Sequence, residues 1–393
     1  MKYQEKTKHA LSGFSLAPVR VFLLGLGVTV GLWTVWFSLH LPGLNLPPAV
    51  MGPAVLIVWV VLATLGARMV RPGLGGAILA GLVTAAISLM ALGSVLVEQP
   101  DPAAYTEGQA ALRPAAVLLA GGFLIAGGII GAMGAFFGKV TKSQVLLPTI
   151  GIDPWPARLA WVVMVSYIPL ILLGGLVTSS ESGMAVRGWP DTFGANMFLY
   201  PVSLMSQPRI FLEHSHRLFG SLAGLATLLL WLVVILGPET RKKFGIWTTA
   251  LLLAVILQGI LGGQRVVLNS PVLAALHGAF GQVVLAYAAV LALWMSPSYR
   301  GLQLLEGEIA TRSVRVFTTG ALHISIVQLV LGAMYRHLRR GESPGSFHIL
   351  LTHMVFAFGV VIFAVLAGSV LLRFTREHRD LLPSVAGRIR ATG

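Results

Sequence analysis

Ten long apolar stretches constrain the fold of this chain more than any other feature of its sequence. They lie at roughly 20–40, 52–70, 75–97, 113–138, 157–178, 214–236, 246–264, 272–294, 314–335 and 349–372. Each is close to the length of about 20 mainly apolar residues with which an α-helix crosses the hydrocarbon core of a bilayer. The sequence therefore predicts an all-α polytopic membrane protein of about ten spans, arranged in one or more helical bundles with histidines inside the membrane.

The composition supports a membrane protein over a nucleic-acid-binding one. Hydrophobic residues make up 56% of the 393 positions and charged residues 11%, which is too little charge to cover a soluble domain. The formal net charge is +14. Most of the cations lie in short segments between apolar stretches, as the positive-inside rule expects. We therefore expect the lipid bilayer, and no nucleic acid, as a partner.

The position of the basic segments predicts the orientation of the chain. With ten spans, the segments before span 1, after spans 2, 4, 6 and 8, and in the C-terminal tail all share one side of the membrane. The polar N-terminus has no clear cleavage site and is interpreted as a cytoplasmic tail. The protein is thus expected in the inner (cytoplasmic) membrane with both termini cytoplasmic. The exception is an outer basic cluster of Arg336, Arg339 and Arg340.

Histidines inside the predicted spans are the first candidates for a functional site. The chain has no cysteine, which excludes thiolate ligands, iron–sulfur clusters and c-type heme attachment. A metal or heme would therefore be held by His, Met, Tyr or carboxylate side chains. Four of the ten histidines lie within spans: His216, His277, His323 and His353. An ionisable residue within a membrane span is energetically costly and is a functional candidate by default.

Three of these histidines share one depth in the membrane. His216, His277 and His353 each lie a few residues into spans 6, 8 and 10, which run in the same direction. Each follows a span that ends in Leu-Gly-small, namely Leu173-Gly174-Gly175, Leu261-Gly262-Gly263 and Leu331-Gly332-Ala333. Interhelical hydrogen bonding explains any single histidine, but a common depth favours ligation of heme iron, with small residues leaving room for the macrocycle. His323 lies nearer the bilayer centre and fits either interpretation.

The densest polar group in the chain surrounds His216. Glu213 and His216 are spaced i, i+3 and share a helix face. A carboxylate beside a heme ligand can donate or accept protons, which makes Glu213 a candidate catalytic residue. The alternative is a first-turn carboxylate that complements the helix dipole. Arg217 is a candidate for a bidentate contact with a heme propionate.

Several segments together resemble the heme A synthase family. They are LLGGLVTSSESGMAVRGWP at 172–190, Glu213-x-x-His216-Arg217, LQGILGG at 257–263, and His277 within LAALHGAFGQ. The match is best over 156–295 and looser over 314–372. The resemblance implies oxidation of a methyl group of heme O to a formyl group, giving heme A for cytochrome oxidase assembly. It also implies that His216 and His277 ligate the iron of the substrate heme, that Glu213 is the essential acid, and that heme b is a cofactor.

The resemblance also suggests a division of the chain and a second heme site. Family members contain two similar four-helix bundles. Residues 151–300 resemble the first bundle, and 301–393 resemble part of the second followed by a basic tail. Residues 1–150 form a four-helix region of unknown role. His353 is then the candidate ligand of a second heme iron, and its partner is His323, His40 or no residue of this chain.

Two other functions fit the same histidines. One is a b-type heme protein that transfers electrons, and the other is a non-catalytic heme carrier or oxidase-assembly factor. Glu213 and the long outer loop between spans 5 and 6 favour the enzyme, because simple electron transfer needs neither. Heme O synthase and cytochrome oxidase subunits are candidate partners, and a homo-oligomer is an open alternative.

Overall fold

The computed structural model describes residues 17–44, 46–101, 108, 110–140, 155–296, 299, 312–338 and 344–377. These residues contain ten long helices: α1 Ala17–Leu39, α2 Pro48–Val70, α3 Gly73–Leu92, α4 Ala116–Val140, α5 Trp155–Ser179, α6 Pro208–Leu236, α7 Pro238–Val267, α8 Pro271–Met295, α9 Arg312–Leu338 and α10 Pro344–Glu377. The predicted basic N-terminal tail, and Arg339 and Arg340, lie outside the described residues.

All ten helices are long and apolar enough to cross a membrane, which confirms the predicted class of polytopic all-α membrane protein. Extended pairing in the described part is limited to two isolated bridges, Val97–Leu112 and Thr192–Ala195. Helix α6 begins at Pro208, six residues before the predicted start of span 6. Proline suits the first helical position because the N–H that it lacks would have no partner there. Glu213 consequently lies in the second turn of α6 and not in its first.

The chain folds into two compact units, which are described separately. The first unit comprises Met1–Val267 and Val284–Pro297, and the second comprises Leu268–Val283 and Ser298–Gly393. These packing units differ from the three functional regions proposed from the sequence. That division stays a prediction, since functional regions and packing units need not coincide.

Close backbone contacts between glycine-rich helices build the N-terminal part of the first unit. Helix α1 packs against α2, α3 and α5, and α4 packs against α2 and α3. At the α3–α4 crossing, a Cβ atom on Gly81 would collide with the carbonyl oxygen of Gly127. Small residues serve this purpose in membranes, where van der Waals packing and not water exclusion drives helices together.

Aromatic side chains connect the N-terminal helices to α6. The rings of Phe37 and Phe211 stack with centroids 5.3 Å apart, and Trp33 meets Phe219 edge-on at 5.7 Å. Each such pair contributes on the order of 1 kcal/mol beyond the burial of its surface. The N-terminal helices therefore support the helix on which Glu213 and His216 lie.

In the second unit, α9 and α10 form an antiparallel hairpin. Glycines again allow close approach, because Gly320 of α9 lies against the ring of Phe363 and Gly359 of α10 lies against Ile324. The first part of α8 belongs to the same unit, where a Cβ atom on Gly278 would lie 3.7 Å from Nε2 of His337.

Candidate functional site

A buried ion pair lies in the N-terminal half of α6, among the residues from which the sequence predicted a site. Glu213 is 1% exposed, and its Oε1 accepts a hydrogen bond of 3.0 Å from Arg217, one turn further along the helix. The Arg217 side chain is 9% exposed. A buried carboxylate is costly unless it is paired and hydrogen bonded. The arginine supplies that compensation.

The same two side chains hold the loop of residues 180–207 between α5 and α6, here called the outer loop after its predicted side of the membrane. Arg217 donates from Nη1 to the carbonyl oxygens of Gly188 and Asp191, at 2.8 and 2.9 Å, and from Nη2 to that of Val186 at 2.7 Å. The N–H of Val186 donates in turn to Oε2 of Glu213 at 2.8 Å. Both terminal nitrogens of Arg217 are thus engaged with protein acceptors. Its predicted contact with a heme propionate stays a prediction and competes with these bonds.

His214, which the sequence did not select, is the most deeply buried histidine of this region, at 0% exposure. Its Nδ1 lies 3.5 Å from Oγ1 of Thr192, and its ring lies 5.5 Å from that of Tyr200. Within the part of the chain that the structure describes, its Nε2 is buried without a hydrogen-bond partner. Its contacts are with the outer loop, so it anchors the loop to the side of α6 beside Glu213.

The N-terminal region also holds this loop. Gln99 accepts a hydrogen bond of 2.9 Å from the N–H of Ser203, and the Ser203 hydroxyl donates to the carbonyl oxygen of Pro100 at 3.1 Å. Gly93 lies directly against the carbonyl of Phe198. Residues 93–100 therefore fix the far side of the loop, which gives the N-terminal helices a structural role that the sequence left unassigned.

The C-terminal end of α7 brings a second arginine to the cluster. A Cβ atom on Gly183 would lie 2.8 Å from Nη1 of Arg265, and Gly263 lies against the indole ring of Trp189. Arg265 also interacts electrostatically with Glu213 and Arg217. Sequence reasoning did not assign Arg265 to the site. The sequence feature that could have indicated Arg265 is its position just after Leu261-Gly262-Gly263.

His216 is half-buried and lies against a glycine of the preceding helix. A Cβ atom on Gly174 of α5 would lie 3.2 Å from Cε1 of the His216 ring. The arrangement recurs in the second unit, where the Cβ position of Gly332 in α9 lies 2.9 Å from Cε1 of His353. The small residues were expected to make room for a macrocycle. At these two positions they make room for the imidazole itself.

His353 has a further neighbour on α9. Its Nε2 lies 3.4 Å from Nε2 of Gln328, one turn before Gly332. Within the described residues, the Nδ1 atom of His353 is buried without a hydrogen-bond partner. A buried imidazole nitrogen of this kind fits a residue that binds a group supplied from outside the chain.

The remaining histidines have separate surroundings. His277 lies on the part of α8 that belongs to the second unit, so its predicted pairing with His216 stays a prediction. His323 is exposed on α9, and its Nδ1 contacts the carbonyl oxygen of Thr319 at 2.7 Å. His40 stacks on Trp36, with ring centroids 4.3 Å apart.

These features define a polytopic helical membrane protein with a buried glutamate–arginine pair beside a glycine-backed histidine. Residues 157–347, just under half of the chain, match the family COX15-CtaA, described as cytochrome oxidase assembly protein. All the residues of the cluster on α6 and α7 lie within the matched region.

Curated relatives of this chain carry the name heme A synthase, and three of them illustrate the similarity. The protein of Shouchella clausii is 31% identical over 142 residues, which are 35% of this chain and 44% of the relative. That of Geobacillus kaustophilus is 32% identical over 178 residues, 42% of this chain and 52% of the relative. That of Geobacillus thermodenitrificans is 29% identical over 239 residues, 53% of this chain and 69% of the relative.

The resemblance to the heme A synthase family that the motifs indicated is thereby confirmed. The chain spans about half the length of the first two of these relatives. No solved structure matches the chain.

Proposed function

We propose that this protein is a membrane oxidoreductase that converts heme O to heme A for cytochrome oxidase assembly. The observation that carries the proposal is the buried Glu213–Arg217 pair, which closes the outer loop over the helix of His216. The names of the curated relatives support the same activity. A protein that only transfers electrons has no need of a buried carboxylate held in this way.

The surroundings of His216 fit a heme ligand. Imidazole is the usual protein ligand of heme iron, and Gly174 lets the His216 ring lie close to the backbone of α5. We assign His216 and His277 to the iron of the substrate heme. His353, backed by Gly332, is the candidate ligand for a heme b cofactor, and its partner is His323, His40 or no residue of this chain. Bound heme iron would supply the redox chemistry that oxidises the methyl group.

Glu213 is the candidate acid–base residue. It lies one turn before His216, and the loop that it holds shields it from solvent. Charges act more strongly on one another where water is excluded. A carboxylate held by Arg217 and the N–H of Val186 keeps one orientation, which is what proton transfer at a fixed position on a substrate requires.

The orientation of the site follows from the distribution of basic residues. We infer that the protein lies in the inner membrane with both termini cytoplasmic, so the Glu213 cluster and its loop lie near the outer surface. Heme O synthase, which would supply the substrate, and cytochrome oxidase subunits, which would receive the product, are the proposed partners.

Pigment analysis tests the activity directly. The chain would be coexpressed with a heme O synthase in a host that lacks heme A, and extracted hemes would be separated by chromatography. Heme A, or its alcohol precursor, is the expected product. Heme B alone would indicate an electron-transfer cytochrome, and heme O retained unchanged would indicate a carrier. Either of these results would contradict the proposed reaction.

A further inference from the structure

We propose that Arg265 binds a carboxylate group of the substrate heme, an inference that rests on the proposed function. Arg265 lies near the end of α7, and its guanidinium is packed against the backbone at Gly183 in the outer loop. Helices α6 and α7 are consecutive, so the start of α6 and the end of α7 lie at the same end of this helix pair. Arg265 therefore lies at the end of the pair where Glu213 and His216 are found.

The hydrogen bonding of Arg265 is incomplete. Within the part of the chain that the structure describes, its Nε is buried without a hydrogen-bond partner, and its guanidinium forms no salt bridge. Glu213 does not fill the gap in the described structure, where its two oxygens accept hydrogen bonds from Arg217 and from the N–H of Val186 and neither accepts from Arg265. Arg265 as a whole is half-buried, but a buried Nε–H donor without an acceptor is costly to the protein alone.

The charge of the cluster points to an anion. Two guanidinium groups, those of Arg217 and Arg265, interact with the single carboxylate of Glu213. The cluster thus carries an excess positive charge in a largely buried position. A carboxylate bound at Arg265 would offset that charge and would accept the free Nε–H.

A comparison of the two arginines favours Arg265 as the binding residue. Arg217 donates to four oxygen atoms of the protein, so a new ligand would have to displace existing bonds. Arg265 has a donor to spare. The planar guanidinium fork matches the two oxygens of a carboxylate, and the propionate side chains of heme are carboxylates. If a heme were bound through His216 with its propionate edge toward the outer surface, its propionates would lie at the same depth in the membrane as Arg265.

Binding of two hemes that differ only in their carboxylates tests the inference. Purified protein, freed of heme, would be titrated with iron protoporphyrin IX and with its dimethyl ester, and the Soret absorbance would be followed. The wild type should bind the free acid more tightly than the ester. Arg265→Gln should weaken binding of the free acid by roughly tenfold to a hundredfold, the usual loss for one charged hydrogen bond. The affinity of the Arg265→Gln variant for the dimethyl ester should equal that of the wild type.

Two further variants isolate the role of the guanidinium. Arg209→Gln removes the same charge from an exposed position at the same end of α6, and should retain the wild-type preference. Arg265→Lys keeps the positive charge but not the planar guanidinium. This variant should retain part of the wild-type preference for the free acid over the ester. Unchanged affinity for the ester also serves as the folding control for Arg265→Gln.

Equal binding of acid and ester by the wild type, or an Arg265→Gln variant that retains the wild-type preference, would overturn the inference. This result is independent of catalysis. A wild type that prefers the free acid through Arg265 but forms no heme A would uphold the carboxylate site and refute the proposed reaction.

Discussion

Glu213 and Arg217 bind the two backbone polar groups of one residue in the outer loop, Val186. Glu213 accepts from the N–H of Val186, and Arg217 donates to the carbonyl oxygen of Val186. The two side chains also bind each other at 3.0 Å. The pair therefore places two opposite charges within one turn of His216 and also holds the outer loop in place. A catalytic and a structural role of Glu213 predict different outcomes on substitution.

We expect Glu213→Gln to retain bound heme and to stop heme A formation. Glutamine keeps the size of the side chain and an acceptor for the N–H of Val186, but it loses the charge and the capacity for proton transfer. Heme content would be measured from the visible spectrum of the purified protein, and product by heme chromatography.

The control for this experiment is Glu239→Gln, which makes the same change at an exposed position near the start of α7. Expression levels must be matched, because loss of the ion pair also destabilises the fold. A Glu213→Gln variant that formed heme A at the normal rate would leave Glu213 with a structural role alone.

Arg217→Lys should loosen the outer loop without removing the charge. Lysine cannot reproduce four simultaneous hydrogen bonds in the geometry of a guanidinium, so we expect a loss of about 1–3 kcal/mol in stability. Trypsin should then cleave more readily at the exposed Arg187 in the loop. The matched control is Arg209→Lys. Equal cleavage in both variants would show that Arg217 does not fasten the loop.

The ten helices could be predicted from the sequence because their signal is local. An apolar stretch of sufficient length has few alternatives to a membrane span, whatever it packs against. The start of α6 was less predictable, since its first turns contain Arg209 and Glu213. These polar residues are stable there because the outer loop and Arg217 satisfy Glu213. That compensation comes from residues distant in the sequence.

The candidate site was predictable to the extent that it lies on one helix. The spacing of Glu213, His216 and Arg217 made them candidates directly. The roles of Arg265 and His214 depend on contacts with loop residues near 183 and 192, which lie 20 or more positions away. No periodic pattern encodes such contacts. The glycines at 174 and 332 could be recognised as a repeat, but their histidine partners on the next helix required the structure.

The predicted topology can be tested with single cysteines, since the chain has none of its own. Met184→Cys, at a position that is 48% exposed in the outer loop, should react with a membrane-impermeant thiol reagent in intact cells. Glu239→Cys, in the first turn of α7, should react only after the membrane is permeabilised. Ala195 is 1% exposed and would be a poor site, because a cysteine there is protected on either side. If Glu239→Cys reacted in intact cells and Met184→Cys did not, the orientation of the chain would be opposite to the predicted one.

We expect His216→Ala and His277→Ala to remove the same heme component from the visible spectrum. The reason is that each histidine would supply one of the two imidazoles that hold the same heme iron. His348→Ala, at an exposed position on α10, is the control. Loss of different components in the two variants would show that His216 and His277 ligate separate irons.

Adjacent glycines in α5 allow the contact with His216 to be tested apart from any effect on the helix. A Cβ atom on Gly174 would lie 3.2 Å from Cε1 of His216, whereas one on Gly175 would meet no atom within 4 Å. Both substitutions by alanine should favour the helix equally, by about 0.5–1 kcal/mol. Gly174→Ala alone requires the imidazole to shift by a few tenths of an ångström.

If His216 ligates iron, that shift changes the ligand geometry. Gly174→Ala should therefore alter the Soret and α bands of the bound heme and weaken heme binding several-fold, while Gly175→Ala should retain the wild-type spectrum. Absorption spectra and heme titrations of the two purified variants provide the measurement. Since the backbone effect is common to both, a difference between them reports on the histidine alone. Identical spectra would show that the position of His216 has no bearing on the heme.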